Sequence, residues 1–291
     1  MNLLIITPFK NEGKSIAKTI ESIINQNYHP IKWLLVDDGS DDDSPEIVKN
    51  YQKKHPFIQY HRRIGSSKSR ATGNNVVDVF NHGLEFAKSL QIDWDVVSKF
   101  DADLVIDSKD YLQFLMSKFA TFPELGIASG VTYILTDNNV KIIESHHRWH
   151  TQGQTKFYRK ECLEAMGGLR PFKGWDGIDD ILARNKGFIT EKFFEQKIWH
   201  LYPTQTRQAE GGFKRGLLRE AAGYRNMGYP FYMYIFKALK LVKERGIYPG
   251  ILYLYYGIKA QNSKPLVTKE EARAVKKFML QRIRNDFKYT G

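Results

Sequence analysis

Apolar residues near the start of the chain fall into two alternating rhythms. Leu3-Leu4-Ile5-Ile6-Thr7 is an unbroken apolar run of strand length, and Ile16, Ile20, Ile23 and Ile24 behind it recur at helical spacing. Lys32-Trp33-Leu34-Leu35-Val36 predicts a second buried strand, stopped by the turn-forming Asp37-Asp38-Gly39-Ser40. A helix over residues 44–51 and a short strand at 59–61 follow. This β-α-β-α-β order predicts a parallel sheet covered by helices, which takes its ligands beyond the carboxyl ends of the strands. The pattern next predicts a helix at 80–90 and a strand over 94–100 that runs into Asp101-Ala102-Asp103. A helix at 111–119, a strand at 127–134 and a helix beginning near Asp179 complete a first domain, taken as residues 1–206. Residues 207–291 alternate helical stretches rich in Lys and Arg with aromatic patches at 229–236 and 247–258, and read as a mainly helical extension.

Composition narrows the setting. The chain has 291 residues, 42% hydrophobic and 13% aromatic, enough for a substantial core and against long disorder. Its one cysteine, Cys162, excludes an intrachain disulfide and a Cys-based zinc site, and fits a reducing cytosol. The apolar run at residues 3–6 meets Pro8 and Lys10 and is too short for a signal peptide or a membrane span. A net charge of +12 favours phosphate-rich partners: nucleotides, nucleic acid or an anionic membrane face. The 13 uncharged residues from 246 to 258 include Pro249 and fall short of a span, but the aromatic stretch 229–258, flanked by Lys237, Lys240, Lys243, Arg245 and Lys259, suits a peripheral contact with the inner face of the membrane. An aromatic helical pair packed on the main domain explains the same stretch equally well.

Acidic residues end two of the expected strands. Asp101 and Asp103, two apart in extended backbone, are expected to project to one side and to share one hard cation, Mn²⁺ or Mg²⁺, whose other positions a diphosphate would fill. Taken alone, they read more readily as two solvated caps. Asp37 and Asp38 are adjacent and diverge, so one faces a ligand. Asp38 is the candidate, as acceptor for a pyrimidine ring N–H, with Glu12 on ribose hydroxyls; helix capping is the alternative. Lys68 and Arg70 are candidates for neutralising donor phosphates, as are Lys156 and Arg159. Neither a Gly-x-x-x-x-Gly-Lys loop nor a Gly-x-Gly-x-x-Gly fingerprint is present, which removes the main support for kinase and dehydrogenase readings. His146, His147 and His150 form a cluster beside Arg148, which would repel a cation.

Thr7-Pro8-Phe9-Lys10-Asn11-Glu12, Val36-Asp37-Asp38-Gly39-Ser40 and Asp101-Ala102-Asp103, in that order, resemble a family 2 glycosyltransferase of the GT-A fold, a Rossmann-like mixed sheet flanked by helices. The likeness continues through Gly153-Gln154-Thr155-Lys156-Phe157-Tyr158-Arg159, Gly167-Gly168-Leu169 and Gly174-Trp175-Asp176-Gly177-Ile178-Asp179-Asp180, covering residues 1–205. It implies an inverting displacement, in which an acceptor hydroxyl attacks the anomeric carbon of a nucleoside-diphosphate sugar. Pro8, Glu12, Asp38 and Asp101 would hold the donor, with Lys68 and Arg70. Asp103, with Asp101 and His200, would hold the metal, and Asp180 would be the general base. Asp179 stands where the family usually has Glu, and with Trp175 it would meet a saccharide or lipid-linked acceptor. The Gln-x-x-Arg-Trp signature of processive synthases is missing, which favours one sugar per encounter. The resemblance points to cell-surface polysaccharide or glycolipid synthesis. A nucleotidyltransferase of similar architecture and a non-catalytic basic binder of membrane or nucleic acid are the competing readings, nucleic acid being the less favoured partner.

Overall fold

The structure is a computed structural model that describes residues 1–64, 74–136, 138–144, 148–202 and 212–284. The chain divides into two compact units, the first formed by Met1–Pro171 with Ala183–Tyr202 and the second by Phe172–Leu182 with the described residues 212–284.

The first unit is built on one mixed nine-stranded sheet. Strands β1 (Leu3–Phe9), β2 (Lys32–Asp37), β3 (Ile58–Arg62) and β4 (Val96–Phe100) lie parallel in the order β3-β2-β1-β4. They are joined through helices α1 (Ile16–Ile24), α2 (Ser44–Lys54) and α3 (Asn74–Ser89). Every residue of β1 is buried, because helices cover both faces of the sheet, and that is why the strand is an apolar run rather than an alternation. On one face Leu3, Ile5, Trp33 and Leu35 pack with Ile16, Ile20 and Ile23 of α1. Ile6 and Val36 lie on the other, where α3 comes so close that a Cβ on Gly83 would stand 2.7 Å from Ile6 Cγ2. Each fully buried Ile or Leu here stabilises the unit by roughly 1.5–3 kcal/mol.

Beyond β4 the sheet changes direction. Strands β5 (Leu104–Ile106), β6 (Leu125–Leu135), β7 (Lys141–Ile143), β8 (Thr155–Arg159) and β9 (Ile189–His200) extend it in the order β4-β8-β6-β9-β5, with β7 paired to β6. The β6–β9 pair is parallel and the other new pairs are antiparallel. Helix α4 (Tyr111–Thr121) leads into β6, and the short α5 (Lys160–Ala165) follows β8. Arg159, read as a phosphate candidate, is engaged elsewhere: its guanidinium donates to the carbonyls of Leu125 (2.9 Å), Phe122 (3.1 Å) and Phe119, tying β8 to the end of α4.

In the second unit, the first turns of α6 (Trp175–Asn185) join α7 (Gly212–Asn226), α8 (Phe231–Arg245), α9 (Ile247–Ala260) and α10 (Lys269–Arg284). Residues 172–182, expected within the first domain, group by packing with the C-terminal helices. Gly174 fixes one junction: its φ of 101° suits glycine, and a Cβ there would meet Met227 Sδ at 2.8 Å. Leu217, Ala221, Tyr234, Ala238, Leu241 and Tyr253 form the core. Among the described residues no helix is long and apolar enough to cross a membrane.

Candidate functional site

Three loops leave the carboxyl ends of β1, β2 and β4, adjacent strands of the parallel half. The first two are stitched together. Asn11, with φ 56°, donates its backbone N–H to Ser40 Oγ (3.0 Å) and accepts the Asp41 N–H on its side-chain oxygen (2.9 Å). The Glu12 N–H donates to Ser44 Oγ (3.0 Å) and the Gly13 N–H to Asp42 (2.9 Å). The Glu12 carboxylate accepts from Ser15 Oγ at 2.9 Å, and Pro8 is buried inside β1 opposite Val36.

The two adjacent aspartates have different surroundings, although both are fully buried. Asp37 accepts the Ser40 N–H (2.7 Å) on one oxygen and the Tyr60 hydroxyl (2.8 Å) on the other, closing the turn that Gly39 permits with φ 83°. Burial first, and then the bond to Asp37 and its charge, push the Tyr60 phenol up to about 12. Asp38 accepts from Asn75 Nδ2 at 2.6 Å and has the Arg63 guanidinium 3.5 Å from its other oxygen. Arg63 and Asn75 were not anticipated; one follows β3 and the other begins α3, so only the fold brings them to Asp38.

Asp101-Ala102-Asp103 occupies a turn between β4 and β5 rather than a strand, so strand alternation does not set its carboxylates. The turn is pinned by the Asp101 N–H to Gln154 O (2.9 Å), the Thr19 hydroxyl to Ala102 O (2.8 Å) and the Leu201 N–H to Asp103 O (3.0 Å). Lys99, also missed, is buried, and its ammonium bonds Asp101 and the Gly153 carbonyl (2.9 Å). It lies near the end of β4, two residues before Asp101, a proximity in sequence that was open to view. His200 ends β9 with Nε2 3.3 Å from Asp103 and Nδ1 2.9 Å from Glu144. Burial pushes its pKa down, but bonds to Asp103 and Glu144 and their charges outweigh that and hold it at about 10. From Glu144 the polar chain continues to the Thr132 hydroxyl (2.8 Å) and on to Gln152 (2.7 Å).

The donor set at this turn suits a hard cation in one respect and not in another. Burial raises the Asp101 carboxyl pKa, Lys99 opposes the rise and the nearby Asp103 charge adds to it, which describes carboxylates short of positive charge. A divalent ion held by two carboxylates and phosphate oxygens fits that deficit. As the third ligand of the sequence analysis, His200 would give up the contact its Nε2 makes with Asp103; among the described residues no group of three such side chains is arranged to hold a cation.

Three candidates lie in the second unit. Trp175 is buried at the start of α6, with Asp179 and Asp180 one turn on, where carboxylates favour the helix dipole. The Asp180 N–H donates to Asp179 Oδ1 at 2.7 Å, and the Asp180 side chain is fully buried. The phenol of buried Tyr229, raised by burial first and then by charges that include Asp176 and Asp180, stays protonated in the same unit. Lys68, Arg70, His146 and His147 lie outside the described residues.

A parallel half that ends in acidic loops, continued by an antiparallel extension, is the architecture of GT-A glycosyltransferases. The family model described as "Glycosyl transferase family 2" matches residues 4–174, and the chain belongs to that family. Among curated relatives, the poly-beta-1,6-N-acetyl-D-glucosamine synthase of Staphylococcus epidermidis is 27% identical over 120 residues, 41% of this chain and 26% of that protein. The uncharacterized glycosyltransferase YibD of Escherichia coli is 32% identical over 76 residues, 25% of this chain and 22% of that protein. The alignments thus span about a quarter of those relatives' lengths. Of solved structures, the mannosyltransferase PcManGT of Pyrobaculum calidifontis, in complex with GDP-Man and Mn2+, superposes with TM-score 0.57 at 16% identity, covering 98% of this chain and 81% of that one. S. aureus TarS 1-349 in complex with UDP-GlcNAc gives 0.56 at 14% identity, covering 94% and 78%. These likenesses establish the shared fold.

Proposed function

We propose that the chain transfers a sugar from a nucleoside-diphosphate sugar to an acceptor hydroxyl by a single, inverting displacement, in the synthesis of a cell-surface polysaccharide or glycolipid. The observation that carries this reading is the family match over residues 4–174, laid on a sheet whose β1, β2 and β4 loops bring Glu12, Asp38 and Asp101 with Asp103 to one end. Asp38 accepts a ring N–H of the base and Glu12 takes ribose hydroxyls. Pro8, at the end of β1, leads into the Glu12 loop, and Lys68 and Arg70, outside the described residues, would neutralise donor phosphates. Asp103, with Asp101, would hold a divalent cation, Mn²⁺ or Mg²⁺, which when bound neutralises charge gathering on the departing diphosphate. Lys99 fixes Asp101, and Glu144 fixes His200 beside Asp103. Asp180 takes the proton of the acceptor hydroxyl, while Asp179 and Trp175 position that acceptor.

Thermal stabilisation by UDP, GDP and dTDP, each with and without Mn²⁺, on the wild type and on Asp103→Asn tests the reading. One nucleotide at a hundredfold excess over its Kd is expected to stabilise the wild type by about 2.7 kcal/mol with Mn²⁺, and Asp103→Asn to lose the metal-dependent part. Absence of a response to all three nucleotides would refute the donor site.

A further inference from the structure

The hairpin of α8 and α9 carries an apolar face that the second unit leaves uncovered. On α8, Ile235, Leu239 and Val242 follow one another at i, i+4 and i+7, and Leu239 is 61% exposed. On α9, Ile247, Ile251 and Ile258 form a second stripe, with Ile247 68% and Ile251 64% exposed. Two glycines decide how the helices meet. A Cβ on Gly257 would stand 2.6 Å from Tyr234 Cδ1, and one on Gly250 would stand 2.4 Å from Val242 Cγ2 and 2.8 Å from the Ala238 carbonyl. Later residues of α9 therefore lie against earlier residues of α8, so the helices run antiparallel. Each stripe sits on the same rotational side of its own helix's contact line, and antiparallel packing reverses that sense for one of them. Both stripes thus come to one side of the hairpin and form a single face.

The charges around this face identify its partner. Residues 229–265 contain six Lys and Arg, of which Lys237 pairs with Glu220 of α7 at 2.8 Å, and one acid, Glu244, which Lys240 holds at 3.6 Å. Lys243, Arg245 and Lys259 are exposed. Tyr248 and Tyr255, also exposed, add the amphipathic rings that settle at a lipid–water boundary. A second copy docked face to face would set these cations against each other, whereas an anionic lipid surface complements them. Neither helix is long enough to span, so the geometry is that of a hairpin lying in the interface plane. We propose that the Ile235–Leu239–Val242 and Ile247–Ile251–Ile258 face docks this protein on an anionic membrane surface. The inference is independent of the sugar-transfer reading.

The test is flotation of the full chain with vesicles of phosphatidylcholine alone and of phosphatidylcholine mixed with phosphatidylserine. Expected results are capture by the mixed vesicles that weakens with added salt, a loss of about tenfold or more for Leu239→Asp with Ile251→Asp, and loss of the preference for anionic lipid for Lys243→Glu with Lys259→Glu. Both pairs are exposed, and circular dichroism of each variant should match the wild type. Three results would overturn the proposal. The wild type stays unbound with mixed vesicles; both variants float as the wild type does; or the wild type ignores vesicles and forms a dimer that Leu239→Asp with Ile251→Asp dissolves.

Discussion

Replacing Tyr60 with Phe separates the aspartate that builds the turn after β2 from Asp38, the one proposed to meet the donor. The hydroxyl donates to Asp37 at 2.8 Å, while the Ser40 N–H holds the other carboxylate oxygen at 2.7 Å. A hydrogen bond to a charged group contributes about 1.5–3 kcal/mol net, and the partial exposure of Tyr60 puts Tyr60→Phe near the lower bound, about 1.5 kcal/mol. Asp37→Asn keeps the shape but removes the charge and leaves one acceptor oxygen, so the Ser40 N–H is still met while the Tyr60 hydroxyl must turn to accept from the new amide, costing about 1 kcal/mol at each bond and partly offset by relief of a buried charge. Arg62, 3.6 Å away with its side chain 53% exposed, adds under about 1 kcal/mol. The two variants share one bond, so the double variant should fall short of additivity by about 1 kcal/mol. Because the chain forms two units, the readout is hydrogen exchange of peptides covering residues 1–62, which reports the opening free energy of this region alone. Nucleotide-induced stabilisation is measured alongside and is expected to survive in Tyr60→Phe. The reasoning fails if Tyr60→Phe exchanges within about 0.5 kcal/mol of the wild type while Asp37→Asn does not. It fails also if Asp37→Asn abolishes the nucleotide response with no change in exchange.

Three further outcomes are expected. The Tyr60 phenol, at about 12 in the fold against the ordinary 10, contributes stability that is complete below pH 10 and lost as pH rises through 12, so the exchange difference between wild type and Tyr60→Phe should narrow from pH 10 upward. Lys99→Met removes the ammonium held by Asp101, so the metal-free protein should melt lower and gain more from Mn²⁺ than the wild type; equal gains would show that Lys99 does not balance that carboxylate. Gly257→Ala forces a methyl into Tyr234 and should destabilise the second unit by about 1–3 kcal/mol, seen as faster proteolysis of residues 212–284, whereas Gly216→Ala, with nothing within 4 Å, should not.

The parallel half was legible because β1, β2 and β4 are buried on both faces and therefore continuous in apolar residues. Of the antiparallel half only β6 was, as the strand expected at 127–134. β8 holds Thr155 and the buried Lys156, and β9 interleaves Glu191, Lys192, Glu195, Gln196 and Lys197 with its apolar positions while its partner β6 shifts register twice. Such strands take their burial from tertiary polar contacts that no period announces. At the site, Asp101 and Asp103 stood out as acids at a strand end, but the turn that holds them was invisible because Thr19, Gln154 and Leu201 come from three distant segments. Glu144 lies 56 positions from His200, and nothing local marks the pair. Residues 172–182 are a different case: Trp175, Ile178 and Ile181 have the spacing of a buried helix face, and spacing does not say which core receives it.

The stitching of the first two loops bears on how specificity can drift. Asn11, Glu12 and Gly13 each lean on the segment from Ser40 to Ser44, so a substitution in one loop displaces the other. If these loops hold base and ribose as proposed, the two recognitions are inherited as one trait: new donor preferences would come mainly through side chains that hang from this frame, such as Arg63 and Asn75, while the frame itself stays fixed. The same rigidity means that the ordering entropy of these loops is spent during folding, leaving little to be lost on binding of the proposed nucleotide.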